Sequence, residues 1–175
     1  GAGGLVEWRH PASGEILRWD YWISEPDTTN NRMALRSVIE AFEGLSRKGR
    51  TFSVVFTSDS KYVVDGMTEW VFGWMARGWT RKTGAIENLA LWQEAVAAAA
   101  RHERQWRWVR GHNGHPQNEY ANHLATRAAA EQTRSDGFVP SDFDAWLAAE
   151  RAKRRMTGAL DAFPSPEAFV AARPY

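Results

Sequence analysis

The stretch Phe52 to Gly66, FSVVFTSDSKYVVDG, constrains this chain more than any other. Phe52, Val54 and Phe56 alternate with Ser53, Val55 and Thr57, and β-branched and aromatic residues dominate. This predicts a core strand of about six residues. Val63, Val64 and Met67 then recur at helical spacing. Ser58-Asp59-Ser60 therefore lies where a strand gives way to a helix, and in an open α/β sheet the carboxyl ends of strands are where ligands bind. Asp59 has two readings at this point. One is a helix N-cap, which Ser, Asp and Asn make for local hydrogen-bonding reasons; the other is a carboxylate that faces a ligand.

The flanking elements follow from the same reasoning. Gly1-Ala2-Gly3-Gly4 reads as a flexible turn. Leu5 to Arg9 and Glu15 to Ser24 read as an antiparallel pair of strands joined at His10-Pro11-Ala12-Ser13-Gly14. After the break at Pro26-Asp27-Thr28-Thr29, a helical stripe of Met33, Leu35, Val38, Ile39, Phe42 and Leu45 spans Asn31 to Leu45. The helix after Asp59 runs through Trp70 and Trp74 to Gly78, and Arg77 to Gly84 is a basic loop punctuated by glycine. Ile86 to His102 predicts an alanine-rich helix, Gln105 to Val109 a strand, Gly111 to Pro116 a loop and Gln117 to Glu131 a helix. This order describes a mixed α/β domain over residues 1–131.

Residues 132–175 differ in character. Asp142 to Met156 has the spacing of a basic amphipathic helix with Phe143, Trp146 and Leu147 on one face, and Phe163-Pro164-Ser165-Pro166 and Arg173-Pro174 predict an extended tail. We read this part as a C-terminal extension that packs on the domain or on a protein partner. It carries no recognisable chemistry.

A length of 175 residues suits one domain with such an appendage. Lysine and arginine number 22 and aspartate and glutamate 21, so the net charge of +1 excludes no class of partner. Clustering says more: Arg77, Arg81 and Lys82 form one basic group, Arg101, Arg104, Arg107 and Arg110 a second, and Arg151, Lys153, Arg154 and Arg155 a third. Each has an ordinary reading as a solvated face. The absence of cysteine excludes disulfides and thiolate metal sites. No signal peptide or apolar run of membrane-spanning length is visible, so the expectation is a cytoplasmic protein with no membrane partner. Ten tryptophans are many for this length; most serve as core or interface anchors, and beside arginines they also support nucleic-acid chains.

Six ordered blocks resemble bacterial ribonuclease HI: Thr28-Thr29-Asn30-Asn31-Arg32-Met33, Thr57-Ser58-Asp59-Ser60-Lys61-Tyr62-Val63, Arg77-Gly78-Trp79, Leu91-Trp92-Gln93, Trp106-Arg107-Trp108-Val109 and Gly111-His112-Asn113-Gly114-His115-Pro116-Gln117-Asn118-Glu119. The match is collinear from about Gly1 to Ala130. It implies an α/β fold with a mixed five-stranded sheet flanked by helices. It also implies endonuclease cutting of the RNA strand of RNA–DNA hybrids by four acidic residues that hold two Mg²⁺ ions, with Mn²⁺ an alternative metal. Hard cations want oxygen ligands, and two ions can stabilise both the attacking and the leaving oxygen. Asp59 matches the third of these acids, which favours the metal-ligand reading over the cap.

The other acidic positions depart from the family. Ala34 stands where a Glu ligand is expected, and a methyl group cannot ligate a cation. Asn122 stands where Asp is usual; its amide oxygen can ligate a metal but brings no charge. The first acid lies on a strand that in the family precedes the Gly1 to Gly4 loop. That strand is central, between the Leu5 to Ser24 hairpin and the parallel strands near Thr51 and Gln105. Without it both halves expose an unpaired edge, so we expect an N-terminal segment beyond this sequence, or another segment or chain, to supply it. Ala34 marks either an engineered inactivation or a natural non-catalytic relative.

The resemblance also assigns surface roles. Thr29 would bind a DNA phosphate. Asn30 and Asn31, which locally read as caps, would contact sugar and phosphate at a helix start, and Lys61 the minor groove. Trp70, Trp74, Trp79, Trp92, Trp106 and Trp108 match family tryptophans that are mostly core, with Trp70 and Trp74 also counted among the nucleic-acid contacts. Arg77, Arg81 and Lys82 resemble a basic protrusion that grips the DNA strand, here with few lysines and so with weaker, salt-sensitive binding. His112 would assist proton transfer or product release, supported by Glu119. His115 and His123 read as structural or solvent-facing. Two functions follow: a ribonuclease HI inactive or impaired as written, or a non-catalytic module that binds hybrid or RNA within a larger assembly.

Overall fold

The computed structural model describes residues 1–175. The chain forms two compact units, one of residues 1–28 and 110–165, the other of residues 29–109 and 166–175.

In the first unit, β1 (Ala2–Arg9) and β2 (Ile16–Ile23) pair antiparallel over their full length, from Ala2 opposite Ile23 to Arg9 opposite Ile16. Gly14, at φ +71°, and the bond from His10 N–H to the Glu15 carbonyl close the turn between them. Helix α5 (Pro116–Glu131) packs on this pair. Gly1 to Gly4 is not the expected turn, because strand β1 already begins at Ala2. The glycines admit the helix: a Cβ at Gly3 would stand 2.6 Å from Leu124 Cβ and 2.8 Å from the Ala125 nitrogen.

A short strand β5 (Val139–Pro140) pairs with the other edge of β2. It leads into α6 (Phe143–Ala152), whose Phe143 and Leu147 are buried with Tyr120 and Leu124 of α5. The Tyr120 hydroxyl donates to Asp20 Oδ2 at 2.6 Å, and the Asp142 N–H donates to the same oxygen at 3.3 Å. Burial raises the Tyr120 pKa, and the hydrogen bond to Asp20 raises it further. The basic residues Lys153, Arg154 and Arg155 follow α6 rather than lying on it, so the helix is shorter and less basic than its sequence suggests.

In the second unit, β3 (Ser53–Ser58) and β4 (Glu103–Trp108) are parallel, in register from Ser53 opposite Glu103 to Ser58 opposite Trp108. Helix α1 (Asn30–Ser46) buries Leu35, Val38, Ile39 and Phe42 in one core with Trp92, Ala95 and Ala99 of α4 (Leu89–Ala99). Between β3 and α4 runs a helical segment that is not uniform. It comprises α2 (Lys61–Asp65), a π-turn at Gly66–Trp70 and α3 (Val71–Ala76).

Neither β1 nor β3 has a strand on its second side. Each is thus an edge strand of its own sheet, with an unpaired ladder of backbone groups. The far edge of β4 is covered. Val170 to Tyr175 runs beside it, with the Ala172 N–H donating to the Arg104 carbonyl at 2.6 Å.

Candidate active site and nucleic-acid interface

Asp59 follows the last residue of β3 and is exposed. It is not the cap of the following helix. Ser60 caps α2, its hydroxyl accepting the Val63 N–H at 3.2 Å. The Asp59 backbone is fixed instead by Trp108 at the end of β4, whose indole N–H donates to the Asp59 carbonyl at 3.1 Å. The family pattern puts Trp108 among mostly core tryptophans, yet it is 48% exposed. Parallel register brings Ser58 opposite Trp108, so the indole lies over the turn.

The start of α1 is capped by Thr29, whose hydroxyl accepts the Arg32 N–H at 3.2 Å. Asn30 and Asn31 are therefore not caps. They are the first two helical residues, and both side chains are exposed. Ala34 packs, half-buried, against the core of this unit. Arg32 reaches Asn88 Oδ1 at 3.4 Å, and Asn88, left-handed at φ +57°, donates to the Tyr62 hydroxyl at 3.2 Å. Trp92 Nε1 donates to the same hydroxyl at 3.1 Å.

Tyr62, Trp70, Trp74 and Trp92 wall a cleft of about 500 Å³ whose rim carries Arg77 and Arg81 together with Glu69 and Glu87. Trp92 is fully buried, whereas Trp70 is 38% exposed. Gly73 lets the Arg77 guanidinium fold back over the helix, since a Cβ there would meet Arg77 Nη2 at 3.3 Å. Lys82 is exposed in the same loop, and Lys61 is exposed and pairs with Asp65 at 3.2 Å. The structure thus gathers Trp70, Trp74, Arg77 and Arg81 into one surface. Sequence reasoning missed Tyr62 as a member of it. The available signal was Gly66 inside an apolar helix, which marks close packing by a large neighbour.

In the first unit, His112 sits at φ +52° in the loop before α5, next to Gly114 at φ +74°. Glu119 Oε1 accepts the Gly114 N–H at 3.4 Å, so this carboxylate holds the loop's backbone. His115 caps α5, its Nδ1 accepting the Asn118 N–H at 3.1 Å, and pairs with Asp161 at 3.3 Å. Asn122 is exposed on α5.

No group of three or more His, Asp or Glu side chains is placed to hold a metal ion. Of the ligands that the family resemblance leads one to expect, only Asp59 is a carboxylate, and Asn122 offers an uncharged amide oxygen. The residues present do not fit a two-ion site.

The RNase H family model matches residues 11–130. The chain is 53% identical over 104 residues to a ribonuclease H of Herminiimonas arsenicoxydans, covering 59% of this chain and 69% of that protein. It is 47% identical over 114 residues to one of Alcanivorax borkumensis, covering 65% and 74%. Among solved structures it resembles LC9-RNase H1, described as a type 1 RNase H with the type 2 active-site motif. There the TM-score is 0.91 at 59% identity, over 98% of this chain and 81% of that one. In sequence and in fold, the chain belongs to the ribonuclease H family.

Proposed function

We propose that this protein is an endonuclease for the RNA strand of RNA–DNA hybrids whose cutting centre needs carboxylates beyond those that residues 1–175 bring. The observation that carries the reading is Asp59, exposed at the carboxyl end of β3 inside a chain matched to the RNase H family. Thr29, Asn30 and Asn31 at the start of α1, Lys61 at the start of α2 and the Trp70, Trp74, Arg77, Arg81 and Lys82 surface form the hybrid-binding face. Hybrid recognition requires 2′-hydroxyls on one strand and deoxyribose on the other, and polar groups at helix starts beside stacking aromatics suit both. His112 serves proton transfer or product release, with Glu119 holding its loop. Mg²⁺ is the metal of this reading and the cytoplasm its location; no helix of the chain is long and apolar enough to cross a membrane.

The test uses a labelled hybrid with Mg²⁺ or Mn²⁺. It compares this chain, its Ala34→Glu variant, and versions of each extended by an N-terminal strand that carries the missing aspartate. We expect the chain as it stands to bind without cutting efficiently, and the strand-bearing versions to cut only RNA. Binding without cutting by every version would make the protein a non-catalytic module. Robust cutting by the unextended chain would refute the dependence on outside carboxylates.

A further inference from the structure

The π-turn is what assembles the aromatic wall of the cleft. At Gly66–Trp70 the Val71 N–H reaches past the Met67 carbonyl, its α-helical acceptor, to bond Gly66 O. Eight residues of regular α-helix would leave Trp70 about 80° away from the direction of Tyr62. Absorbing one residue in the wide turn cuts that offset to roughly 20°. The two rings accordingly meet edge to face, with centroids 5.6 Å apart. Trp70 also approaches Trp92 at 6.0 Å and Trp74 at 6.2 Å.

The carbonyl that the π-turn bypasses is claimed from far along the chain. The Tyr175 hydroxyl donates to Met67 O at 2.7 Å. Its ring stacks on Phe72 of α3 with centroids 5.3 Å apart, and the Arg104 guanidinium lies 4.2 Å from its centre. Arg104, only 4% exposed, donates to the Arg173 carbonyl at 2.8 Å, and Gln105 Oε1 accepts the Val170 N–H at 3.1 Å. Burial pushes the Tyr175 pKa up to about 12 against the opposing charge of Arg104, so the hydroxyl keeps its proton and remains a donor near neutrality.

We propose that Tyr175 is a positioning residue for nucleic-acid binding: by holding the Met67 carbonyl it fixes the π-turn and so places Trp70 in the cleft. The proposal rests on the reading of that cleft as a seat for the hybrid, and gives Val170 to Tyr175 a part in affinity although the family match ends at residue 130.

Tyr175→Phe keeps the ring and removes only the donor. Two measurements on the full chain test it: fluorine NMR of fluorotryptophan-labelled protein, with the Trp70 signal assigned through Trp70→Phe, and hybrid affinity by fluorescence anisotropy. Tyr175→Phe should shift or broaden the Trp70 signal while leaving Trp8 and Trp19 unchanged. It should weaken hybrid binding roughly five- to tenfold, the scale of one buried hydrogen bond. In a Trp70→Ala background it should weaken binding no further. An unmoved Trp70 signal overturns the proposal, as does an equal loss of affinity in both backgrounds. A lowered melting temperature with unchanged affinity overturns it too, because that is what a merely structural strap would give. Failure of the unmodified chain to bind hybrid overturns the reading of the cleft and the link to affinity, while the NMR arm decides separately whether Tyr175 places Trp70.

Discussion

Gly66 and Gly73 lie seven positions apart in one helical segment, yet alanine should act on them with opposite sign. In an exposed helix interior Gly→Ala stabilises by up to about 1 kcal/mol. At Gly66 a Cβ would fall within the ring of Trp92, touching Cη2, Cζ3 and Cζ2. Trp92 is fully buried and its indole N–H is bonded to Tyr62. Swinging that side chain out would expose about 200 Å², a loss of about 5 kcal/mol. A smaller backbone shift is the cheaper response, at about 1–3 kcal/mol for overpacking. Less the propensity gain, Gly66→Ala should therefore destabilise by up to about 2 kcal/mol net, and should loosen the aromatic wall. At Gly73 the added Cβ meets only the guanidinium tip of Arg77, 3.3 Å away. That side chain can move, so Gly73→Ala should stabilise by about 0.5–1 kcal/mol. Urea unfolding monitored by far-UV circular dichroism reads both. Stabilisation of both variants, or an equal loss in both, would refute the assignment of Gly66 to close packing against Trp92.

Three further outcomes are expected. Tyr120→Phe leaves Asp20 buried with one backbone donor and should cost about 1.5–3 kcal/mol, measured by urea unfolding. His102 has its pKa lowered from 6.5, chiefly by burial, while its Nδ1 accepts the Phe52 N–H. Below that value the unfolded chain binds a proton that the native chain refuses. Its contribution is therefore full above 6.5 and lost as pH falls below it, with a slope of up to about 1.4 kcal/mol per pH unit that His102→Gln should remove. Replacing Arg77, Arg81 and Lys82 together by alanine should weaken hybrid binding and lower the slope of log affinity against log salt by about 0.9 for each phosphate that is no longer neutralised.

Much of the fold is legible in the chain because local pattern and tertiary demand agree. The alternation from Phe52 to Thr57 and the stripe on α1 are periodicities that the cores then use, and β3 and α1 fall within a residue or two of expectation. Asp59 can be placed at a strand end because the break at Ser58 is local. Its neighbour's capping role cannot, since Asp and Ser compete for that position on nearly equal terms and only backbone geometry selects Ser60. Gly1 to Gly4 misleads because glycine signals both a turn and a strand pressed against a helix, and only the presence of Leu124 decides. The π-turn cannot be read at all. Its neighbours Trp92, packed against Gly66, and Tyr175, bonded to the Met67 carbonyl, are distant in sequence, so no local window around Gly66 contains them.

The interleaved order of the two units has a consequence for synthesis. Residues 29–109 form most of one unit without interruption, so its core can close soon after Val109 clears the ribosome. The β1–β2 hairpin emerges first but is covered by α5, which begins at Pro116. At translation rates of about 5–20 residues per second the hairpin waits on the order of ten seconds for its helix. Its apolar face is a natural target for chaperones in that interval. Tyr175 comes later still, so the helical segment carrying Trp70 is made long before the hydroxyl that holds its turn.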